Sequence, residues 1–407
     1  MHIYNDNDSD SNKNKFVRRS WELVDLDLCC NNLNFIKNYI PKECKIMYII
    51  KADAYGNGAV KISHEVEAII DYFGVSSIDE ALQLRYAEIK KPIFILGYTP
   101  AECVEILLEH DLTQAVFSSE YAEELAKYIP VNKKLKIHIK IDSGMSRLGF
   151  NAHNSENIKK TCEEVFNLYE KYNSFIFEGI FTHFAVSDGN LQTDKEFTEK
   201  QFKNFMEVTD KLNLKGLIFS LRHVCNSAAI INYPHMHLDM VRPGLILYGL
   251  YPTGQEEKVK QIGIKPIMQL KSVITQIKQL QKGDTVSYGR IYEAEKNITV
   301  ATIPIGYADG FSRQLSNNGE ILVNGKRAPI IGRICMDQFM ADITGIEAKE
   351  GQTITIIGKD GDDELFAEDL ANRLNTINYE ISTSINKRII RLYIRNGQIV
   401  DKLSYII

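Results

Sequence analysis

A lysine that closes a buried strand can act as a reagent rather than as a solvated charge. Lys51 directly follows the apolar run IMYII (46–50) and opens the segment KADAYGNG (51–58). Burial among apolar neighbours and other cations penalises an ammonium, so the pKa of such a lysine falls. The free amine can then add to a carbonyl and form a Schiff base. Other polar residues repeat this placement. Lys140 and Asp142 close KIHIKID (136–142), and Arg147 follows in GMSRLG (144–149). His183 sits late in FEGIFTHF (177–184), and His223, Asn226 and Ser227 follow LIFSLR. Arg242, Gly244 and Leu245 lie in MVRPGLILYG (240–249). Each alone is an ordinary strand-end residue. Together they would ring one mouth with cations and small turns, which suits an anionic ligand carrying a phosphate and a carboxylate.

Only a repeating scaffold can bring such scattered residues together. Eight apolar runs are spread from about residue 46 to 249: the five containing the residues above, plus YFGVSS (72–77), PIFILG (92–97) and TQAVF (113–117). Helical patterns such as GAVKISHEVEAII and KEFTEKQFKNFMEVTDKL lie between them. Strands alternating with helices predict a parallel sheet, and eight units predict a (β/α)₈ barrel over residues 15–262. An open doubly wound sheet is the structural rival. Barrel enzymes work at the C-terminal ends of their strands, where the polar residues fall here. From 263 to 407 the runs are short, closely spaced and β-like (NITVATIPIGYA, EILVNGKRAPIIG, TITIIG), with turn signals NNGE, VNGK and KDGDD. This predicts a second, mostly β domain, with FAEDLANRLNT as its one clear helix and RIIRLYIRNGQIV as a strand or hairpin. The opening strand of the chain could pack with that domain. Residues 1–14 are too polar to repay ordering entropy and predict a disordered tail.

Composition narrows the partners. The 407 residues are 44% hydrophobic and 25% charged with a net charge of -5, and no basic run offers a nucleic-acid footprint. No apolar stretch reaches the ~18 residues that span a membrane. The N-terminus has no apolar signal core. The seven cysteines lack CxxC or Cys/His spacing, so no metal is expected and they read as reduced cytoplasmic thiols.

The motifs KADAYGNG, KIDSGMSRLG, EGIFTHFAVSD, HVCNSA, VRPGLILYG, VSYGRIY (286–292), GYADGFSR (306–313) and GRICMDQ (332–338) occur in an order that resembles the alanine racemases. SWELVDLDLCCNNL (20–33) resembles that family's opening segment, so the likeness covers nearly the whole chain. It implies a pyridoxal 5'-phosphate (PLP) enzyme working as a head-to-tail homodimer, with a barrel that binds PLP and a β domain behind it. By this resemblance Lys51 carries PLP as a Schiff base and is one acid/base group, and Tyr288 of VSYGR, reaching in from the partner subunit, is the other. Racemisation needs two such groups on opposite faces of the α-carbon. His183 matches the residue that hydrogen-bonds the tyrosine, Arg242 the arginine at the pyridine nitrogen, and His223 the residue that orients it. Asn226 falls in the same cofactor-binding motif. Tyr55, Ser227, Gly244 and Leu245 match the phosphate site. Arg147, the Met336 N–H and Asp337 match the substrate carboxylate site. Lys140 matches a lysine that is carbamylated in some members. Asp188, Tyr307, Arg333 and Ile385 match the access corridor for substrate. Cys335 reads as a small packing residue.

Three departures stand out. Lys387 replaces a tyrosine that binds the phosphate in some members, which removes a hydroxyl from the substrate pocket. Asn57 replaces a histidine in the YGHG-like form, and Phe181 replaces a tyrosine found in some members. The implied reaction is interconversion of L- and D-alanine in the cytoplasm, supplying D-alanine for peptidoglycan. Racemisation of another small amino acid such as serine is the alternative. A Glu facing the pyridine nitrogen and a glycine triplet would mark a PLP decarboxylase, and neither occurs.

Overall fold

The computed structural model describes residues 19–252 and 256–406, so the expected tail at 1–14 lies outside the described residues. The first strand, β1 (Ser20–Asp25), does not enter the barrel. Its Asp25 carboxylate caps the helix Leu26–Tyr39 by accepting from the Leu28 N–H, and the helix turns the chain into the barrel. The barrel strands are β2 (Lys45–Ile49), β3 (Tyr72–Val75), β4 (Ile93–Ile95), β5 (Leu112–Val116) and β6 (Leu135–Asp142). A two-residue strand β7 (Phe150–Asn151) leans on β6, and β8 (Phe175–Phe181), β9 (Leu221–His223) and β10 (Met240–Val241) follow. All pairings are parallel, in the order β10-β2-β3-β4-β5-β6-β8-β9. The seam between β9 and β10 is bridged by the Asp239 N–H to Arg222 O (3.2 Å) and the Arg242 N–H to Cys225 O (3.0 Å), which closes the ring and excludes the open sheet. Strands covered on both faces are continuous apolar runs, as β3 and β4 show with every residue buried.

Two of the eight runs are mostly not strand. In LIFSLRH only the last three residues pair. MVRPGLILYG pairs at its first two and then forms a 3₁₀ turn at Leu245–Tyr248. Their remaining apolar residues are buried without pairing, except Ile218, which is exposed.

The second domain is built from β11 (Met268–Val273), β12 (Gln276–Leu280), β13 (Thr285–Val286), β14 (Tyr292–Glu293), β15 (Ile298–Ile303) and β16 (Glu320–Val323). It continues with β17 (Lys326–Ile331), β18 (Phe339–Asp342), β19 (Thr353–Asp360), β20 (Asp363–Leu365), β21 (Ile390–Arg395) and β22 (Gln398–Leu403). β13 and β14 pair only with each other. β1 lies inside the larger sheet, antiparallel to β11 and parallel to β21. The β16–β17 turn puts Asn324 and Gly325 at φ 52° and 70°, the left-handed pair that a tight hairpin requires. The single helix expected here is found at Ala367–Leu374, and a second follows at Asn378–Ser384. Hydroxyls of Ser382, Thr383 and Ser384 bond back to carbonyls one turn earlier, so this short helix shows no clean periodic signal.

Candidate functional site

The C-terminal ends of the barrel strands converge on one cavity of about 200 Å³. Lys51, Tyr55, Lys140, Arg147, His183, Asn226, Ser227, Arg242, Gly244 and Leu245 all line it. No carboxylate does, among the described residues, so four cations face one small volume. The loop after β2 is unusual. Ala52, Asp53, Ala54 and Tyr55 have φ between 52° and 55°, a full left-handed turn without glycine. Such a turn costs ~1–2 kcal/mol per residue, so outside contacts must hold it. They include the Asp53 carboxylate accepting from the Ala59 N–H (2.8 Å), and Arg391 Nε donating to Gly56 O (3.1 Å). The turn places Tyr55 under Gly244. At the same end of the cavity Ser227 Oγ accepts from the Gly244 N–H at 3.0 Å, and Asn226 caps the following helix through the Ala229 N–H. In the loop after β6, Asp142 gathers the N–H groups of Gly144, Met145 and Ser146 at about 3 Å and so presents Arg147 at the rim. Burial raises the Asp142 pKa less than these donors and His153 lower it, and the carboxylate stays charged.

Electrostatics follow from the crowding. Burial, then the Arg147 guanidinium, push the Lys51 amine below its usual range, against a smaller pull from Glu80. Lys140 falls much further through burial, Arg242 and Arg147. Its amine stands 4.5 Å from the Phe181 ring centre, and Arg242 stands 5.6 Å from it, so Phe181 offers both cations an aromatic face. His183 is held neutral by burial and by Arg242, Lys140, Arg147 and Lys51. Arg242 is lowered to about 10 by burial and keeps its charge near neutrality. It donates to Thr182 O (2.8 Å) and Val224 O (3.1 Å), and it meets His223 Nδ1 at 3.0 Å. That contact begins a relay. His223 Nε2 is 2.8 Å from His138 Nδ1, and His138 Nε2 is 3.0 Å from Glu178. Because a guanidinium only donates, the tautomers are assigned in one direction: Arg242 to His223, His223 to His138, His138 to the Glu178 carboxylate. Burial keeps both imidazoles neutral.

The family model for the alanine racemase N-terminal domain matches residues 24–252, and that for the C-terminal domain matches residues 267–393. The chain belongs to the alanine racemase family. It is 41% identical over 397 residues to alanine racemase 1 of Clostridium acetobutylicum, covering 96% of this chain and 100% of the relative. It is likewise 41% identical to an alanine racemase of Methanococcus maripaludis, covering 92% and 98%. Among solved structures, alanine racemase of Clostridium difficile 630 superposes with a TM-score of 0.89 at 40% identity, over 97% of this chain and 100% of the other. The Bacillus anthracis alanine racemase with bound L-Ala-P gives 0.86 at 36%, over 96% and 99%.

The remaining residues expected from the racemase motifs lie away from this cavity. Tyr288 is 70% exposed on a turn where Ser287 and Gly289 have φ 66° and 72°. Ser287 Oγ donates to Arg333 O, and the Tyr307 and Ala308 N–H groups bond Cys335 O and Met336 O. Tyr288, Tyr307, Arg333 and Met336 thus gather on one face of the β domain, where Tyr288, Tyr307 and Met336 are exposed. Asp337 pairs with Arg388 at 2.8 Å. Ile385 is buried and offers its carbonyl to Arg391. Asp188 interacts electrostatically with Tyr379. Lys387 is exposed, with its amine 5.1 Å from the Tyr405 ring centre and not on the cavity wall. Asn57 donates to Ala54 O (2.8 Å), inside its own turn.

Sequence reasoning missed three residues. Tyr379 lines the cavity, its ring 6.0 Å from that of Tyr55. His138 and Glu178 anchor the relay, although the lone polar side chains inside KIHIKID and FEGIF were the available signal. No helix among the described residues is long and apolar enough to cross a membrane.

Proposed function

We propose that this chain interconverts L- and D-alanine with PLP as cofactor, as a cytoplasmic homodimer that supplies D-alanine for peptidoglycan. The observation that carries the reading is the convergence of four cations and no carboxylate on one cavity, with a lysine amine of lowered pKa at its wall. The residues fit the cofactor. A Cβ added at Gly244 would lie 2.7 Å from Tyr55 Oη, so this end of the cavity is kept for something other than protein. Tyr55, Ser227 and the Gly244–Leu245 backbone would hold the phosphate, Arg242 the ring nitrogen and Lys51 the aldehyde carbon. Bound there, PLP withdraws electrons from the substrate's α-carbon and so acidifies the α-proton.

Lys51 then takes or returns that proton on one face, a task suited to an amine whose pKa burial and Arg147 have lowered. Tyr288 serves the other face. Its exposure, far from its own chain's cavity, supports delivery into the site of a second subunit. A phenol has a reference pKa of about 10 and needs a hydrogen-bond partner to act as a base. Neutral His183, with Nδ1 3.4 Å from Arg242, has Nε2 available to the partner's Tyr288. Arg242 is held by two carbonyls and the imidazole relay, and it offers only donors. Facing a ring nitrogen, it would supply no proton that the nitrogen could readily take, which would restrain side reactions such as transamination. Arg147 binds the substrate carboxylate together with the backbone N–H of the partner subunit's Met336, and the partner subunit's Asp337 borders that end of the site. The lowered amine of Lys140 is the form that adds carbon dioxide, and a carbamate there would relieve the repulsion with Arg147 and Arg242. Asp188, Tyr307, Arg333 and Ile385 border the substrate's path.

The test is a racemisation assay across small amino acids, with and without added PLP. Alanine turnover that depends on PLP supports the reading. Faster formation of D-serine than D-alanine at matched concentration assigns the chain to serine, and no turnover with either refutes a racemase.

A further inference from the structure

We propose that Tyr405, held by Lys387, is a positioning residue for Lys51, an inference that rests on the catalytic assignment of Lys51 above. The left-handed turn Ala52–Tyr55 begins one residue after Lys51 and ends just before the helix Ala59–Val66. Four consecutive non-glycine residues at positive φ do not hold this shape unaided. Asp53 is the residue through which the turn is gripped. One carboxylate oxygen accepts from the Ala59 N–H at 2.8 Å, and the other accepts the hydroxyl of Tyr405. Tyr405 lies beyond β22, 354 positions from Lys51 in the sequence, so this is a tertiary restraint and not part of the turn itself. The Tyr405 ring is fixed in its turn by two cations: Lys387 Nζ is 5.1 Å and Arg391 Cζ 5.5 Å from its centre. Arg391 also donates to Gly56 O at the end of the turn and pairs with Glu22 of β1 at 3.3 Å. Tyr393 Oη donates to Asn57 O at 3.1 Å.

Lys387 thereby gains a role. It does not touch the cavity, but it orients a phenol whose hydroxyl holds the carboxylate two residues after Lys51. Losing the Tyr405 hydroxyl frees one Asp53 oxygen and lets the turn sample right-handed conformations, in which the Lys51 amine leaves its place at the cavity wall. The core of the barrel does not depend on this bond. The consequence is a local loosening with a catalytic readout.

The experiment compares wild type, Tyr405→Phe, Lys387→Ala, Lys387→Arg and the double variant Tyr405→Phe/Lys387→Ala. Amide hydrogen exchange is measured on cofactor-stripped protein, and kcat and KM for alanine on the holoenzyme. Tyr405→Phe is expected to raise exchange across residues 52–56 by about tenfold while peptides from β2–β5 stay unchanged. It is expected to lower kcat about fivefold with KM within about twofold. Lys387→Arg keeps the wild-type values, Lys387→Ala shows a smaller form of the same defect, and the double variant is no worse than Tyr405→Phe alone. Unchanged exchange at 52–56 in Tyr405→Phe overturns the proposal. So does a uniform rise across barrel peptides, which marks a merely structural role, or full additivity of the two substitutions. A wild-type protein without alanine turnover refutes the proposed function instead, and the exchange data still decide whether Tyr405 holds the turn.

Discussion

Gly244→Ala tests whether Tyr55 and the Gly244 backbone share one phosphate-sized end of the cavity. The demand for glycine at this position shows in its contacts. A Cβ there would lie 2.7 Å from Tyr55 Oη and 3.3 Å from Ile49 Cβ. The hydroxyl would have to retreat by about 0.7 Å to regain ordinary contact. Its ring is packed 4.7 Å from the Tyr248 ring and 6.0 Å from the Tyr379 ring, which resist that movement. Overpacking a site of this kind costs ~1–3 kcal/mol. Charged to cofactor binding, the middle of that range is about thirtyfold in the PLP dissociation constant. The assay is a titration of PLP into stripped protein, followed by absorbance. Tyr55→Phe deletes the atom the new methyl would strike, so Gly244→Ala/Tyr55→Phe should bind PLP more tightly than Gly244→Ala alone. Wild-type affinity in Gly244→Ala would refute the argument, as would a double variant weaker than either single one.

His138→Leu leaves the His223 Nε2–H without an acceptor at a cost of about 1–3 kcal/mol, and Arg242 loses its fixed orientation. We expect kcat/KM to fall about tenfold along with the melting temperature, and a stability loss with unchanged kcat/KM would remove the relay from catalysis. Burial raises the Glu22 pKa from 4.5 to about 7. Between those values the folded chain holds a proton that the unfolded chain has lost, so the contribution to stability is full below pH 4.5 and is lost as pH rises through 7. The difference is about 3 kcal/mol, seen as weaker resistance to urea at pH 8 than at pH 5, and Glu22→Gln should flatten it. A carbamylated Lys140 would add the mass of carbon dioxide to the native protein, and loss of this mass in Lys140→Ala but not in Lys171→Ala would place it.

Much of the barrel site was legible because its residues interrupt or terminate apolar runs. Lys51, Lys140 and Arg242 each break a hydrophobic segment where a strand must end, and the resemblance then told their roles apart. Other parts were hidden for physical reasons. His138 lies within KIHIKID at a position that reads as core, and only the fold brings it to His223, 85 residues away. KADAY has the composition of an ordinary helix, whereas tertiary contacts from β21 and Tyr405 hold it left-handed. Tyr379 sits on a helix too short to show a period. The place of Lys387 in the motif was visible, but not its direction, because the Tyr405 ring it faces lies outside any motif. Sequence order puts β1 within the barrel's span of 15–262, and its packing with the β domain, which the sequence left open, is decided by backbone edges that β11 and β21 satisfy on both sides.

The central claim is that each complete site combines Lys51 of one subunit with Tyr288 of the other. Co-expression of the Lys51→Ala and Tyr288→Phe chains tests it directly. Each variant alone should racemise alanine at a small fraction of the wild-type rate. Mixed dimers carry one intact site, so random assembly should restore about one quarter of wild-type activity. No recovery in verified mixed dimers, or near wild-type racemisation by either variant alone, would contradict the account.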